Sequence, residues 1–161
     1  MSATEPNVDA LEVRPHDLLS NEAQTLIAEL NAELSAMYPE EGATHFRLDP
    51  SEVRPGNGRF VIAARDGRHL GCGAVRRIDA RTAELKRMYV RPEARNRGVA
   101  RAVLRALEAE ARGLGVERLV LETGVRQAAA LALYRREGYA VIPLYGEYVG
   151  SPLSVCMAKD L

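Results

Sequence analysis

A basic segment at residues 88–101 carries the clearest chemical signal in the sequence. It passes from strand-like alternation through Arg95 and Arg97 to Gly98, and continues as an amphipathic helix that contains Arg101. The first turn of a helix offers backbone N–H groups without intrahelical partners, together with the positive end of the helix dipole. A glycine there lets a ligand approach the backbone closely. Three arginines around such an opening favour a diphosphate ligand; the alternative is an ordinary strand–helix junction with solvated arginines.

Two other phosphate-binding patterns are excluded by their spacing. The P-loop requires Gly-Lys-Ser or Gly-Lys-Thr at the start of a helix, and neither tripeptide occurs. The dinucleotide pattern G-x-G-x-x-G requires a third glycine, but arginine follows both candidate pairs at that position, as Arg76 and Arg118. We interpret those glycine pairs as a strand irregularity and a helix stop.

The charge distribution also favours an anionic ligand for the second half of the chain. The net charge of the 161 residues is zero, but residues 1–58 contain three arginines and eleven acidic residues, a balance of −8 that the remaining residues offset. A basic region of this kind attracts phosphate, and the acidic half could attract a cation. The composition, 47% hydrophobic and 27% charged, is typical of one globular domain. Nucleic acid is a weaker alternative because the second half has few aromatic residues for base stacking.

Cysteine, histidine and hydropathy patterns predict a reduced cytoplasmic protein. Cys72 and Cys156 are far apart, and we expect both to be small core residues. Three scattered histidines and no Cys-x-x-Cys pair make us expect no metal site. The polar N-terminus is unlike a signal peptide, and no apolar run reaches the ~18 residues that span a bilayer, so we expect no membrane partner.

Hydrophobic periodicity predicts the elements that position this basic segment. Residues 1–9 are interpreted as a flexible tail and 10–161 as a single domain. Helices are predicted from residue 20 or 21 to 37, from 98 to about 113, and over 127–137. Strands are predicted over 11–14, 60–64, 69–75, 83–90, 119–121, 139–142 and 153–159. The three successive antiparallel strands, followed by strand–helix–strand units, indicate an α/β sheet of mixed direction.

The sequence resembles the GCN5-related N-acetyltransferase (GNAT) family. Residues 95–100, Arg-Asn-Arg-Gly-Val-Ala, match the family pattern Q/R-x-x-G-x-G/A. Further matches are Val90-x-Pro92, Leu-Val-Leu-Glu-Thr at 119–123, Ala-Leu-Tyr at 132–134, and Gly138-Tyr139. The resemblance implies the GNAT fold, a mixed central sheet of six to seven strands with about four helices. It also implies a splay between the strands at 83–90 and 118–122.

The resemblance assigns a donor site for acetyl-CoA and two catalytic residues. The loop amides of the family grip the diphosphate, and the pantetheine arm pairs with the exposed strand before the loop. The implied donor-binding residues are Met88, Tyr89, Val90, Arg95, Asn96, Arg97, Gly98, Val99, Ala100, Arg101, Gln127 and Tyr134. A backbone N–H of Met88 or Val90 would polarise the thioester carbonyl. Many relatives have an asparagine near the start of the second helix that contacts pantetheine. This sequence departs from that pattern, and Gln127, with a longer side chain, is the candidate substitute.

Tyr134 matches the tyrosine that many members use as general acid toward the departing thiolate. Its alternative role is that of a core residue on the helix face. Glu84 lies six residues before Val90, at the position of the base in the histone-acetylating branch; the alternative is a surface carboxylate paired with Arg77 or Lys86. Glu122, in the next strand, is a second candidate for the base.

The resemblance implies transfer of an acetyl group from acetyl-CoA to a primary amine by direct attack in a ternary complex. Because the acidic half lies on the acceptor side, we expect a cationic small-molecule amine, and Arg47 leaves open an acceptor that bears a carboxylate. The candidate acceptor residues are Tyr38, Glu40, Glu41, Arg47, Glu122, Tyr145, Glu147 and Tyr148. Alternatives are a protein acetyltransferase acting on lysine or N-termini, and a non-catalytic acyl-CoA-binding module. Residues 153–157 could pair with a second copy, so a homodimer is possible.

Overall fold

The elements follow in the predicted order. The computed structural model describes residues 10–40 and 48–161; residues 1–9, the predicted tail, lie outside it. The described elements are β1 (Glu12–Pro15), α1 (Asn21–Met37), β2 (Gly58–Arg65), β3 (Arg68–Arg77), β4 (Thr82–Val90), α2 (Val99–Gly113), β5 (Arg118–Gly124), α3 (Ala128–Arg136), β6 (Ala140–Ile142) and β7 (Ser154–Asp160). Where about four helices were expected, these ranges contain three α-helices and three short 3₁₀ segments, at Pro50–Val53, Pro92–Ala94 and Gly146–Tyr148.

The seven strands form one mixed sheet, as predicted. Their spatial order is β1-β2-β3-β4-β5-β7-β6, and β4 and β5 are the parallel pair because α2 connects them as a crossover. Their pairing covers only Thr82–Leu85 against Arg118–Leu121. Both strands continue beyond that point without pairing to each other, which confirms the predicted splay.

The helices cover the two faces of this sheet and complete two hydrophobic clusters. Val103, Leu104 and Leu107 of α2 pack on one face against residues such as Leu121. Ala23, Leu26 and Leu30 of α1 pack on the other face with Phe60, Ile62 and Cys72. Ser20, one of the two predicted starts, is the N-cap of α1, since its hydroxyl accepts a hydrogen bond from the Ala23 N–H at 3.2 Å. The splay therefore lies between two packed layers.

β4 contains a bulge beside the splay. Cys72 pairs with Tyr89 and Ala74 with Lys86, so Gly73 of β3 faces two residues of β4. Arg87, in the bulge, has φ = +57°, a left-handed conformation that is unusual for arginine. The packing opposite the bulge leaves no room for a side chain on β3, because a Cβ at Gly73 would lie only 2.6 Å from the Met88 sulfur.

β7 lies inside the sheet rather than at its edge. Cys156 and Met157 pair on one side with β5 and on the other with β6. The predicted strand pairing between two copies through residues 153–157 is therefore wrong for these two residues; a homodimer stays a prediction. Both cysteines are buried and free, as expected for core residues. Among the described helices, none is long and apolar enough to cross a membrane.

Candidate active site

A cavity of about 1110 Å³ opens where β4 and β5 separate. Its walls come from the unpaired ends of these strands, from α1, from the start of α2 and from α3. The cavity residues that sequence analysis had assigned to the donor are Met88, Tyr89, Val90, Arg95, Asn96, Gly98, Val99, Ala100, Arg101, Gln127 and Tyr134. Of the assigned set, only Arg97 does not line it. One cavity therefore brings together the phosphate-binding loop, the exposed strand edge and the candidate general acid.

The loop before α2 forms a cradle of backbone amides, which we define as residues 95–101. Asn96 (φ = +63°) and Gly98 (φ = +80°) are both left-handed. Gly98 caps α2, and its carbonyl accepts the first intrahelical bond, from the Ala102 N–H at 3.1 Å. The N–H groups of residues 99–101 thus have no intrahelical acceptor. No atom outside the neighbouring residues lies within 4 Å of a Cβ built on Gly98, so the space beside this backbone is open.

Two of the cradle arginines hold carboxylates that also line the cavity. Arg95 contacts Glu33 of α1, with 2.5 Å between Nη2 and Oε1, and its Nε donates to the Val90 carbonyl at 3.0 Å. Arg101 contacts Glu137, just after α3, at 2.8 Å. The cations expected to bind a diphosphate are therefore partly neutralised by groups of the protein itself. Sequence analysis missed both acidic partners, which lie far from the loop in sequence.

The edge of β4 presents amides to the gap. The Arg91 N–H donates to the Leu70 carbonyl in the direction of β3, at 2.8 Å. Because successive N–H groups of a strand point to opposite sides, those of Val90 and Met88 point toward the gap. They can pair with an extended ligand that lies beside the strand.

α1 is tied to this edge by a second ion pair. Arg91 donates to both carboxylate oxygens of Glu29, at 3.0 and 2.8 Å, and the Tyr89 hydroxyl donates to the same group at 3.1 Å. The hydrogen bonds from Arg91 lower the pKa of Glu29. Burial and the Glu29 carboxylate raise the pKa of Tyr89 to about 12, so this phenol stays neutral and acts as a donor. The network fixes α1 over the cavity.

Tyr134 reaches the cavity from α3. Its ring packs edge-on against Tyr139, with 5.7 Å between centroids. Within the described residues its hydroxyl has no hydrogen-bond partner from the protein. Burial, with the charge of Glu122, raises the pKa of Tyr134 above its ordinary value of 10. The phenol is therefore protonated at neutral pH and can donate a proton.

Gln127 lies at the C-terminal end of β5. Its side-chain oxygen accepts a hydrogen bond from the Gly124 N–H at 2.8 Å, which leaves its NH₂ group to donate elsewhere. Gly124 is required at this point because a Cβ there would overlap the Tyr38 hydroxyl. That hydroxyl accepts from the Arg126 N–H at 3.0 Å. Tyr38, Gly124 and Gln127 together form the wall near the opening of the splay.

The two candidate bases occupy different environments. Glu84 is 1% exposed, lies outside the cavity lining, and is hydrogen-bonded by Arg76 (2.8 Å) and by the Tyr145 hydroxyl. Its cationic partner is Arg76, rather than the Arg77 or Lys86 considered from sequence. Glu122 is half-buried, lines the cavity, and accepts a hydrogen bond from Ser154 at 2.6 Å. The structure brings Glu122, not Glu84, to the cavity with Tyr134.

The predicted acceptor residues also divide into those that line the cavity and those that do not. Tyr38 and Tyr148 line the cavity, but Tyr145, Glu40 and Glu147 do not. Glu40 forms a two-pronged ion pair with Arg126, which lowers its pKa to about 2. Glu41 and Arg47 lie outside the described residues.

Four cationic residues of the described cavity wall were not among the predicted site residues: Lys86, Arg87, Arg126 and Arg136. The first two are consecutive in a strand, where alternation would place them on opposite faces, and this concealed their shared position. Within residues 10–40 and 48–161, no group of three or more side chains is suited to hold a metal ion.

Comparison with known proteins agrees with this geometry. Residues 23–139 match the acetyltransferase (GNAT) family. An "IAA acetyltransferase" of Azospirillum brasilense is 40% identical over 158 residues, covering 97% of this chain and 99% of that protein. A Klebsiella pneumoniae structure assigned as an acyl-CoA N-acyltransferase is 33% identical, with a TM-score of 0.81, covering 94% of this chain and 97% of the other.

A GNAT acetyltransferase from Elizabethkingia anophelis, solved with acetyl-CoA bound, has the same fold at 18% identity, with a TM-score of 0.67. It covers 95% of this chain and 99% of its own. The family match spans most of the chain, and the two more similar proteins are aligned over almost their whole length. The chain belongs to the GNAT family and is an acyl-CoA-dependent N-acyltransferase.

Proposed function

We propose that the protein transfers the acetyl group of acetyl-CoA to a primary amine of a small molecule, by direct attack in a ternary complex. The observation that carries this proposal is the single cavity that joins the cradle, the β4 edge and Tyr134. Acetyl-CoA bound to a protein of the same fold supports the choice of donor. A cytoplasmic location, predicted from the cysteine pattern, belongs to this proposal.

The donor is held by backbone groups at two places. The amides of the cradle and the guanidinium of Arg95 bind the diphosphate. The pantetheine arm lies along β4, and the N–H of Met88 or Val90 donates to the thioester oxygen, where negative charge develops during attack. The NH₂ group of Gln127 is free to contact the arm.

Glu122 and Tyr134 carry the proton transfers. The neutral amine attacks the acetyl carbon, the C–S bond breaks, and Tyr134 gives its proton to the departing sulfur. Glu122, directly or through a water molecule, takes the proton that the amine must lose. Glu84, the base favoured by position in the sequence, is better suited to anchor Tyr145 and the Gly146–Tyr148 turn, because Arg76 and Tyr145 already bond its carboxylate.

The test is thiol release from acetyl-CoA in the presence of a panel of amines. Tyr134→Phe should lower kcat about 100-fold or more, since it removes the general acid, and leave the Kd for acetyl-CoA nearly unchanged. Tyr139→Phe is the matched control: it removes a neighbouring phenol that does not line the cavity. Full activity of Tyr134→Phe would refute the general-acid role. Donor binding without thiol release for any amine would instead favour a binding module.

A further inference from the structure

We propose that the acceptor is an amine that also carries a carboxylate, an inference that rests on the proposed function. Arg87, with Lys86 beside it on the α1 side of the cavity, binds the carboxylate. The chemical class is that of an amino acid. The amine end would lie toward Glu122, which lines the same cavity.

The bulge in β4 is the first argument. In a regular strand, residues 86 and 87 would point to opposite faces. Leu85 packs in the cluster on the α2 side, so Lys86 faces the α1 side. The extra residue opposite Gly73 puts Arg87 on that face as well, where its guanidinium donates to Asn31 of α1. A left-handed arginine is a strained conformation that persists only where the surrounding structure imposes it. The bulge therefore places Arg87 on the cavity wall beside Lys86.

Burial of the two cations is the second argument. Each residue is only 8% exposed, although both line the cavity. Burial lowers the pKa values of Lys86 and Arg87, as expected for cations withdrawn from water. Such charges bind an incoming anion more strongly than surface charges do. The planar fork of arginine also matches the two oxygens of a carboxylate.

The charge balance of the wall is the third argument. Among the described residues, Cys72, Tyr148 and Glu122 influence Arg87 electrostatically. Lys86 is influenced by Glu84, Arg76, Glu147 and Arg87 itself. Glu84 is bonded to Arg76, and neither Glu84 nor Glu147 lines the cavity. On the acceptor side, the described part of the cavity wall presents Lys86, Arg87 and the carboxylate Glu122, while the charge of Arg126 is balanced by Glu40.

This charge balance opposes the cationic acceptor expected from sequence. Glu40 was expected to bind that cation, but Glu40 does not line the cavity and its carboxylate is held by Arg126. An acceptor with one amine and one carboxylate fits the wall, because its amine meets Glu122 and its carboxylate meets Arg87.

The experiment compares acceptors that differ only in charge. The proteinogenic L-amino acids and their carboxamides are assayed by thiol release at saturating acetyl-CoA. The wild type should favour at least one acid over its amide by about 10-fold to 100-fold in kcat/KM, the range expected for hydrogen bonds to a charged group. Equal or better use of the amides, or of amines without a carboxylate, overturns the inference and leaves the proposed function intact. Preference for phosphate-bearing amines over amino acids also overturns it.

Variants then assign the preference to Arg87. Arg87→Gln should raise KM for the acid by the same factor and change KM for the amide little, whereas a merely structural role would impair both. Arg87→Lys should restore part of the preference, and serves if the glutamine variant does not fold. Arg118→Gln is the matched control, an exposed arginine at the far end of β5 that does not line this cavity. Equal losses for acid and amide would refute the assignment.

Calorimetry separates this inference from the proposed function. Amino acids are titrated into the protein saturated with coenzyme A, which needs no turnover. Binding that disappears in Arg87→Gln supports the carboxylate site even if no amine releases thiol, a result that would refute the proposed function alone. No amino-acid binding at millimolar concentration overturns the inference.

Discussion

Removal of the acidic partners of the cradle should strengthen donor binding. Glu33 lies in α1 and Glu137 just after α3, yet each neutralises one cradle arginine inside the cavity, at 2.5 and 2.8 Å. The diphosphate must compete with these carboxylates for Arg95 and Arg101, and is repelled by them. Glu33→Gln and Glu137→Gln keep the side-chain shape and remove the charge. Each should therefore lower the Kd for acetyl-CoA.

The size of the effect follows from the exposure of the pairs. The Arg95 and Glu33 side chains are 42% and 33% exposed, so the pair is partly solvated and its interaction free energy is about 0.5–1 kcal/mol. That corresponds to a decrease in Kd of about twofold to fivefold per substitution. Since the two pairs share no residue, the double variant should reach about tenfold. Because both side chains of the Arg95–Glu33 pair are partly solvated, added salt should reduce the gain for Glu33→Gln; Glu137 is only 12% exposed, so the gain for Glu137→Gln should depend less on salt.

Isothermal titration with acetyl-CoA at low and high salt measures this. Glu93→Gln is the matched control, an exposed acidic residue just before the cradle that does not line the cavity. It should change the Kd little. Weaker binding by Glu33→Gln and Glu137→Gln at low salt would refute the competition and show that the carboxylates orient the arginines instead.

Three further predictions concern stability and are tested by urea unfolding. Gly98→Ala should cost about 1 kcal/mol, because alanine is disfavoured at φ = +80° although the space beside it is open, and an unchanged midpoint would contradict this. Lys159→Met should lower the free energy of unfolding by about 3 kcal/mol, because it leaves the buried Glu108 without the cation that lies 2.6 Å away. The double variant with Glu108→Gln should lose less stability than Lys159→Met alone. A larger loss in the double variant would refute the pairing. The ion pair with Arg91 lowers the pKa of Glu29 from its ordinary 4.5, so the pair contributes fully to the free energy of unfolding above pH 4.5 and the contribution is lost as pH falls toward the lower pKa of the folded state. The difference in free energy of unfolding between wild type and Glu29→Gln should therefore shrink over that range. A difference that stays constant would exclude this contribution.

Local patterns predicted the order of the elements and most of the residues that line the proposed donor side of the cavity. The end of α1, the start of α2 at Gly98 and the order of strands follow from periodicity, turn residues and caps, which act over a few neighbours. The cradle could be predicted for the same reason, since all its amides come from seven consecutive residues. The splay followed from resemblance to a family, and the limited pairing of β4 with β5 confirmed it.

The acceptor side could not be predicted in the same way because it depends on contacts between distant segments. Glu84 and Glu122 are both strand carboxylates, and only the tertiary partners Arg76 and Tyr145 distinguish the buried one from the one that lines the cavity. The acidic character of the first half suggested a cationic acceptor, but Glu33 and Glu40 pair with arginines of the second half. Arg87 was missed because a bulge, invisible in the alternation pattern, changes its face.

The most direct test of the account is the contribution of the diphosphate to donor affinity. Calorimetry should compare acetyl-CoA with acetyl-pantetheine, which has the same thioester and arm but no diphosphate or nucleotide. If residues 95–101 bind the diphosphate, acetyl-CoA should bind at least about 100-fold more tightly, and high salt should reduce the difference. Equal affinities for the two compounds, or no uptake of acetyl-CoA at millimolar concentration, would contradict the central claim.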